Sequence, residues 1–312
     1  MMFSRTIRCV FSRERGKVVI MTNARFKSKT TSFPAEYCMD LVRQTDHEAF
    51  LCTLLLPDNV RTIAFAVRAF NSEVARVGDV ASNSTIAQMR LTFWKESVDK
   101  IYSDCPPEHP IAKEIHRALS KHKLSKPYFS RLVTSRISQN TTRGFPTIEA
   151  MEKYAENSVS PVFYLILQAA GVQDVNIDHA ASHLGKAIGI TNSLRSVPFI
   201  VSKSNPDLLP IPVSTLVSHN VSTEAILRGG NDSFKDVTFE IASQAKLHLD
   251  KAKSLSKKLP RSKFPIFLPI VPVSGFLKRL QKANFNLFDP TLRLRDNYLP
   301  LKLYWAKVWS TC

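Results

Sequence analysis

A chain of 312 residues with 44% hydrophobic and 22% charged residues is long enough to bury one sizeable core, and it carries a net charge of +17. Its 9 glycines fall singly or as the Gly229-Gly230 pair, so a GxGxxG or P-loop phosphate cradle is absent and Rossmann and P-loop nucleotide chemistry are excluded. The five cysteines, Cys9, Cys38, Cys52, Cys105 and Cys312, form no CxxC pair, which excludes a disulfide scaffold or zinc module and reads as free thiols in a reducing compartment.

The charge excess sits at the two ends. Residues 1–35 carry eight Lys/Arg against the single acid Glu14, interspersed with Ser, Thr and apolar residues. That pattern reads as a mitochondrial transit peptide, disordered, with a basic tail for nucleic acid or lipid as the alternative; no continuous apolar core suits a secretory signal. From 36 to 312 the sequence reads as one domain, and its dominant period is helical. RTIAFAVRAFNSEVARV sets Ile63, Val67, Phe70, Val74 and Val77 three and four apart, one stripe of an amphipathic helix. Similar stripes run from 86, 109, 126, 147, 179, 234 and 273, eight helices in all, which predicts an all-α bundle. Breaks are expected at Pro57, Pro106-Pro107, Pro146, Gly171, Pro206 and Gly229-Gly230. The stretches 147–170 and 178–197, nearly uncharged on their inner portions, are the predicted central helices, and Gly185 and Gly189 predict close helix packing.

The longest apolar runs, 159–172 and 264–277, reach 14 residues, short of the roughly 20 needed to span a bilayer. Residues 246–312 hold fourteen Lys/Arg against three Asp, alternating with aromatic and apolar side chains. An amphipathic face lying on an anionic membrane is one reading, with Lys278, Arg279, Phe285, Trp305 and Trp309 as contacts; a solvated helix face followed by a strand-like tail is the other.

The order of EYCMDLVRQTDHEAFLCTLLLP, TIAFAVRAFNSEVARVGD, RLTFWKESVDKIY, FPTIEAMEKYAENSVSPVFYLILQAAGV, LGKAIGITNSLRSVP and FLPIVPVSGFLKRLQKANFNLFD resembles the squalene/phytoene synthase family over about 36–310. The resemblance implies an isoprenoid-synthase-like helical bundle around a central cavity. Enzymes of that family join two prenyl diphosphates and hold Mg2+ on two DxxxD motifs, because a departing diphosphate needs its charge neutralised by a hard cation on oxygen ligands. By the resemblance the first motif falls on Ala75 and Asp79, with Arg76 where a further acid is common, and the second on Ser196 and Ile200. Three of the four ligands are gone, which implies a protein without catalysis, metal or cofactor. Arg68, Glu73, Arg76, Tyr154, Asn192 and Arg195 remain as candidates to line a residual cavity, with an isoprenoid or lipid as its possible occupant.

A scaffold with altered motifs behind a transit peptide is most similar to the branch of the family that serves in assembly of mitochondrial respiratory complex I. That implies complex I subunits or assembly intermediates as partners, peripheral contact with the inner membrane, and a place on its matrix side. An active prenyl transferase with displaced ligands and a basic lipid- or RNA-binding matrix protein are the competing readings. The lost aspartates weigh against the first, and a nearly neutral middle without a nucleic-acid motif weighs against RNA. Two literal DxxxD strings, Asp174 with Asp178 and Asp232 with Asp236, open predicted helices and read as caps. His179 and His183 lack a third ligand nearby in sequence. Glu149, Glu152 and Glu156 share a helix face and read as solvated or as a partner contact.

Overall fold

The computed structural model describes residues 33–80, 83–142, 144–203 and 208–310, except the side chains of 79 and 80. The basic segment through residue 32, and the break expected at Pro206, lie outside the described residues.

Local chemistry sets the helix boundaries. Pro34 opens α1 (Pro34–Thr45), where its missing N–H costs nothing. Asp46 ends α1 and caps α2 (His47–Leu54), its carboxylate accepting the Ala49 N–H at 2.9 Å. After Pro57 comes α3 (Asp58–Ala75), buried over most of its circumference between Ile63 and Phe70. The one-turn α4 (Val77–Val80) follows, and Asn83 caps α5 (Ser84–Tyr102). Pro106-Pro107 separates α5 from α6 (Pro110–Leu119), and α7 (Lys126–Thr142) runs to the next turn.

The single helix expected over 147–170 is two. Thr147 caps α8 (Ile148–Ser158), the chain kinks at Val159 with φ −125° and ψ −48°, and α9 (Ser160–Ala169) restarts. Pro161 causes the break, since it has no N–H and its ring collides with the carbonyl four residues back. Beyond Gly171 the 28-residue α10 (Val175–Ser202) carries Pro198 inside it. Then come α11 (Val213–Ser218), α12 (Thr223–Leu227), α13 (Asp232–Ser256), α14 (Ile270–Lys282) and α15 (Leu299–Trp309). The terminal segment is therefore helical, where the alternation of its residues had suggested a strand-like tail. Among the described residues the fold is all-α, its only β pairing an isolated Phe145–Pro212 bridge.

At the centre lies α9, with every residue but Gln168 buried; α3 and α10 each pack along it, and α13 lies along α10. α10 comes close to both α9 and α8 because Gly185 and Gly189 have no side chains: a Cβ on Gly185 would stand 2.6 Å from the Ser160 Cα at the start of α9, and one on Gly189 2.9 Å from the Ala155 Cα of α8. A second, small core joins Cys52 of α2 and the turn at Phe264–Phe267 to Leu299, Leu303 and Ala306 of α15. This docks α15 by one face only.

Candidate functional site

The positions expected to carry the first motif do not lie on one uninterrupted helix. Ala75 is the last residue of α3 and is exposed, Arg76 is its C-cap, and Asp79 falls on α4 with its side chain outside the described atoms. Glu73 and Arg76 face a groove against α5, lined also by Met89, Phe93, Trp94 and His109. On α10, the Ser196 hydroxyl donates to the Ser193 carbonyl at 2.8 Å, and Ile200 packs partly buried against the core. A methyl, an alkyl chain and a hydroxyl already engaged with its own helix do not fit Mg2+, which takes several oxygen ligands. Among the described residues no group of three or more His, Cys, Asp or Glu forms a metal cradle.

Apart from Glu73 and Arg76, the candidate cavity residues do not share one groove. Arg68 lies deep between α3 and α9, its guanidinium 5.5 Å from the Phe163 ring centre. Burial lowers its pKa, opposed by Asp46 and Cys52, and its Nε is buried without a hydrogen-bond partner. Tyr154 lies elsewhere, in a groove between α7 and α8, 5.5 Å from the Phe145 ring. Asn192 is exposed. Arg195 turns to the neighbouring face of α10: its Nη1 donates to the Glu48 carboxylate of α2 at 2.8 Å and its Nη2 at 3.3 Å, while its plane stacks 4.5 Å over Phe276 of α14.

The literal DxxxD strings are helix starts. Asp174 caps α10, accepting the N–H of Asn176 at 2.7 Å and of Ile177 at 3.4 Å; Asp232 pairs with Lys235 at 2.7 Å and Asp236 is exposed. Sequence reasoning missed two polar clusters inside the bundle. The Glu156 carboxylate accepts the hydroxyls of Ser182 at 2.7 Å, Ser160 at 2.8 Å and Tyr164 at 2.8 Å, and pairs with Arg131 at 3.3 Å. Burial raises its pKa, but the three hydroxyls and Arg131 together hold it below the usual value. Burial and that carboxylate raise the Tyr164 phenol.

The second cluster starts at His183, whose partner is not the exposed His179 but His248 of α13, the two Nδ1 atoms 2.8 Å apart, within hydrogen-bond distance. His248 Nε2 is 3.2 Å from the Glu152 carboxylate. Burial, then His248 and the nearby Lys186, Lys251 and His179, push His183 down to about 4. So of the acid row expected to be solvated, Glu149 is exposed while Glu152 and Glu156 serve as internal partners, because the row wraps from solvent toward α10 and α13. The serines and histidine at positions 160, 182 and 248 carried the signal, but only the Gly185 and Gly189 contacts bring them within reach.

The C-terminal candidates divide likewise. Lys278, Trp305 and Trp309 line one groove with Lys253, Lys302 and Tyr298; Phe285 and Lys278 line the next with Phe239, Lys246 and Leu247. Along this face α15 shows Leu301, Tyr304, Trp305, Val308 and Trp309 to solvent, Trp305 at 53% and Trp309 at 63% exposure. Arg279 points the other way, into a trough shared with Arg195.

Residues 42–301 match the family model described as squalene/phytoene synthase. A Bos taurus relative named NADH dehydrogenase (ubiquinone) complex I, assembly factor 6 is 42% identical over 275 residues, covering 87% of this chain and 82% of the relative. The protein of that name from Homo sapiens is 42% identical, over 88% of this chain and 82% of its own length. A Drosophila melanogaster protein named as its homolog is 41% identical, covering 88% and 84%. Among solved structures, a dehydrosqualene synthase in complex with ligand superposes with TM-score 0.76 at 15% identity, covering 89% of this chain and 96% of that one. Squalene synthase HpnC from Alicyclobacillus acidocaldarius gives 0.69 at 18%, covering 81% and 95%. Both have the same helical fold.

Proposed function

The chain belongs to the squalene/phytoene synthase family, and on that premise we propose that it is a catalytically inactive member acting in assembly of mitochondrial respiratory complex I, on the matrix side of the inner membrane. The observation that carries this reading is 42% identity, along 87% of the chain, to a protein that bears the complex I assembly factor name. The donor chemistry supports the inactive half. Departure of a diphosphate needs metal held by carboxylates, and the positions expected to supply them offer Ala75, Ser196 and Ile200 beside Asp79. With no leaving-group chemistry, the protein works by contact with complex I subunits or assembly intermediates. It takes no cofactor and binds no nucleic acid.

Peripheral membrane contact is part of the same reading. No helix among the described residues is long and apolar enough to cross a bilayer. The outward face of α15, with Trp305, Trp309 and Tyr304 beside Lys302 and Lys307, suits an interfacial helix whose aromatic rings sit at headgroup depth while its lysines meet anionic lipid. The test is complementation of null cells with the wild type and with Asp79→Asn, which removes the last motif carboxylate. Both are expected to restore assembled complex I equally, and purified protein with Mg2+ and farnesyl diphosphate is expected to release no pyrophosphate. Metal-dependent release that Asp79→Asn abolishes would overturn the inactive reading; null cells with normal complex I would overturn the assembly role.

A further inference from the structure

A cleft of about 450 Å3 runs between α13 and α14, with Phe239, Ala242, Leu247, Leu277 and Phe285 as its apolar walls. Ala242 and Leu277 are buried, whereas Phe239 and Leu247 stand 54% and 63% exposed. These two lie about 12 Å apart along α13, at 1.5 Å per residue. Past the last turn of α14, Asn284 and Phe285 take φ of +50° and +56°, and the Phe285 N–H donates to the Leu280 carbonyl at 2.9 Å. Asn tolerates that region, but an aromatic residue there is strained where glycine would not be. The strained backbone holds the Phe285 ring edge-on to Phe239, 5.0 Å between centres, and so maintains one wall of the cleft. Cations stand on the rim: Lys246 pairs with Asp250, while Lys278 makes no ion pair with a carboxylate among the described residues. Ser274 and Lys278 also line the groove under Trp305 and Trp309, so the cleft and the outward face of α15 form one surface. The cleft lies apart from the expected motif positions, and α10 contributes no residue to it.

We propose that the cleft between α13 and α14 takes one acyl chain of an anionic bilayer lipid, with Lys278 beside the head group. Membrane contact then combines insertion of the α15 aromatics with capture of a single lipid. The size favours a chain: the volume is that of a small-molecule pocket, about 300–1,000 Å3, whereas a protein partner buries about 800 Å2 on each side. The shape agrees, because an unbranched chain fills a slot walled by Phe239, Leu247 and Phe285 and leaves its head at the lysines on the rim. Lysine is a compact point charge on a flexible stem, which follows an anionic head group without demanding a fixed geometry. Each methylene withdrawn from water strengthens such binding about fourfold. The continuity with α15 places the source in the bilayer, since a chain can pass into the cleft from a membrane on which Trp305 and Trp309 already rest.

The lipid site rests on the peripheral membrane contact proposed above, and tryptophan fluorescence separates the two. In the full chain carrying Trp305→Tyr/Trp309→Tyr, which keeps aromatic rings at the interface, Leu247→Trp reports from the cleft. Trp94, buried in α5, remains as an unquenched reference. Vesicles of phosphatidylcholine and phosphatidylglycerol with brominated acyl chains are expected to quench Leu247→Trp. They are expected to leave Met89→Trp unquenched, on the exposed side of α5, a helix that packs against α6 and α7. Ser243→Phe fills the cleft from a partly buried position whose hydroxyl bonds only its own helix, at the Phe239 carbonyl, and an unchanged melting curve checks the fold. With the slot filled and two or more methylenes displaced, the same quenching is expected to need about tenfold more lipid, while flotation persists through α15. Flotation without quenching at Leu247→Trp would overturn the lipid site and leave the membrane contact standing, whereas absence of flotation in the wild type would overturn the contact itself. Quenching undiminished by Ser243→Phe would mean that the chain passes over the cleft, and quenching by a brominated free fatty acid but not by vesicles would assign the cleft to a free amphiphile; either result overturns the proposal.

Discussion

The same substitution, Gly→Ala, is expected to have opposite effects at two helical glycines. At Gly185 the new Cβ would stand 2.2 Å from Ser160 Oγ, 2.6 Å from its Cα and 2.7 Å from its N. The hydroxyl can rotate away; the backbone atoms cannot, and Ser160 is fully buried. To reach ordinary contact near 3.5–4.0 Å, α10 must retreat from α9 by about an ångström. Overpacking costs about 1–3 kcal/mol or more, and loss of the Ser160 bond to Glu156 adds about 1 kcal/mol. Better helix propensity returns about 1 kcal/mol, so the net is a loss of about 1–3 kcal/mol. In α14 a Cβ on Gly275 meets nothing within 4 Å, so Gly275→Ala keeps only the propensity term, a gain of about 0.5–1 kcal/mol. Thermal unfolding followed by far-UV circular dichroism reads both, at roughly 2 °C per kcal/mol for a chain of this size. Shifts of the same sign at the two sites would refute the close-packing argument.

Three further outcomes follow from the clusters and the C-terminal face. His183 titrates near 4 when folded against 6.5 as a free side chain. The unfolded chain therefore binds more protons in that window, and stability is expected to fall as pH drops from about 6.5 toward 4; His183→Gln should flatten that part of a urea-unfolding pH series, and an unchanged slope would refute the assignment. Glu156→Gln puts an amide where three hydroxyls and Arg131 donate, and is expected to lose about 1.5–3 kcal/mol in urea unfolding, more than the exposed Glu149→Gln. Trp305→Ala/Trp309→Ala is expected to reduce flotation with anionic vesicles while leaving the melting temperature unchanged, since both rings are more than half exposed; equal flotation would move the membrane contact elsewhere.

Periodicity made α3, α5, α10 and α13 legible because their apolar residues recur three and four apart, and the cap residues Asp46, Asn83, Thr147, Asp174 and Asn231 mark helix starts by their own chemistry. Periodicity does not report the direction of a helix end. The break at Val159 hides inside a continuous apolar pattern, and only the missing N–H of Pro161 announces it. Lys278 and Arg279 look like one basic patch, yet adjacent residues stand about 100° apart on a helix, and they serve different grooves. Likewise the residual polar positions Arg68, Glu73, Tyr154 and Asn192 read as one cavity only if their helices all present the same side to it. Glu156 was hidden for another reason: its partners Ser160, Tyr164 and Ser182 come from two other helices, and nothing but the glycine contact tells of their meeting.

The positions expected to carry the two motifs lie apart from the contacts that hold the bundle. Ala75 ends α3 in solvent, and Ser196 and Ile200 lie only partly covered on α10. A carboxylate at such places contributes a ligand but little packing, so exchanging it for a methyl, hydroxyl or alkyl group leaves the core untouched. The interactions that hold the bundle are a turn or more away: α10 against Ser160 and Ala155, the Glu156 hub, and the almost entirely buried α9. Because the two sets share no side chain, a change of residue at the expected motif positions requires no compensating repair inside.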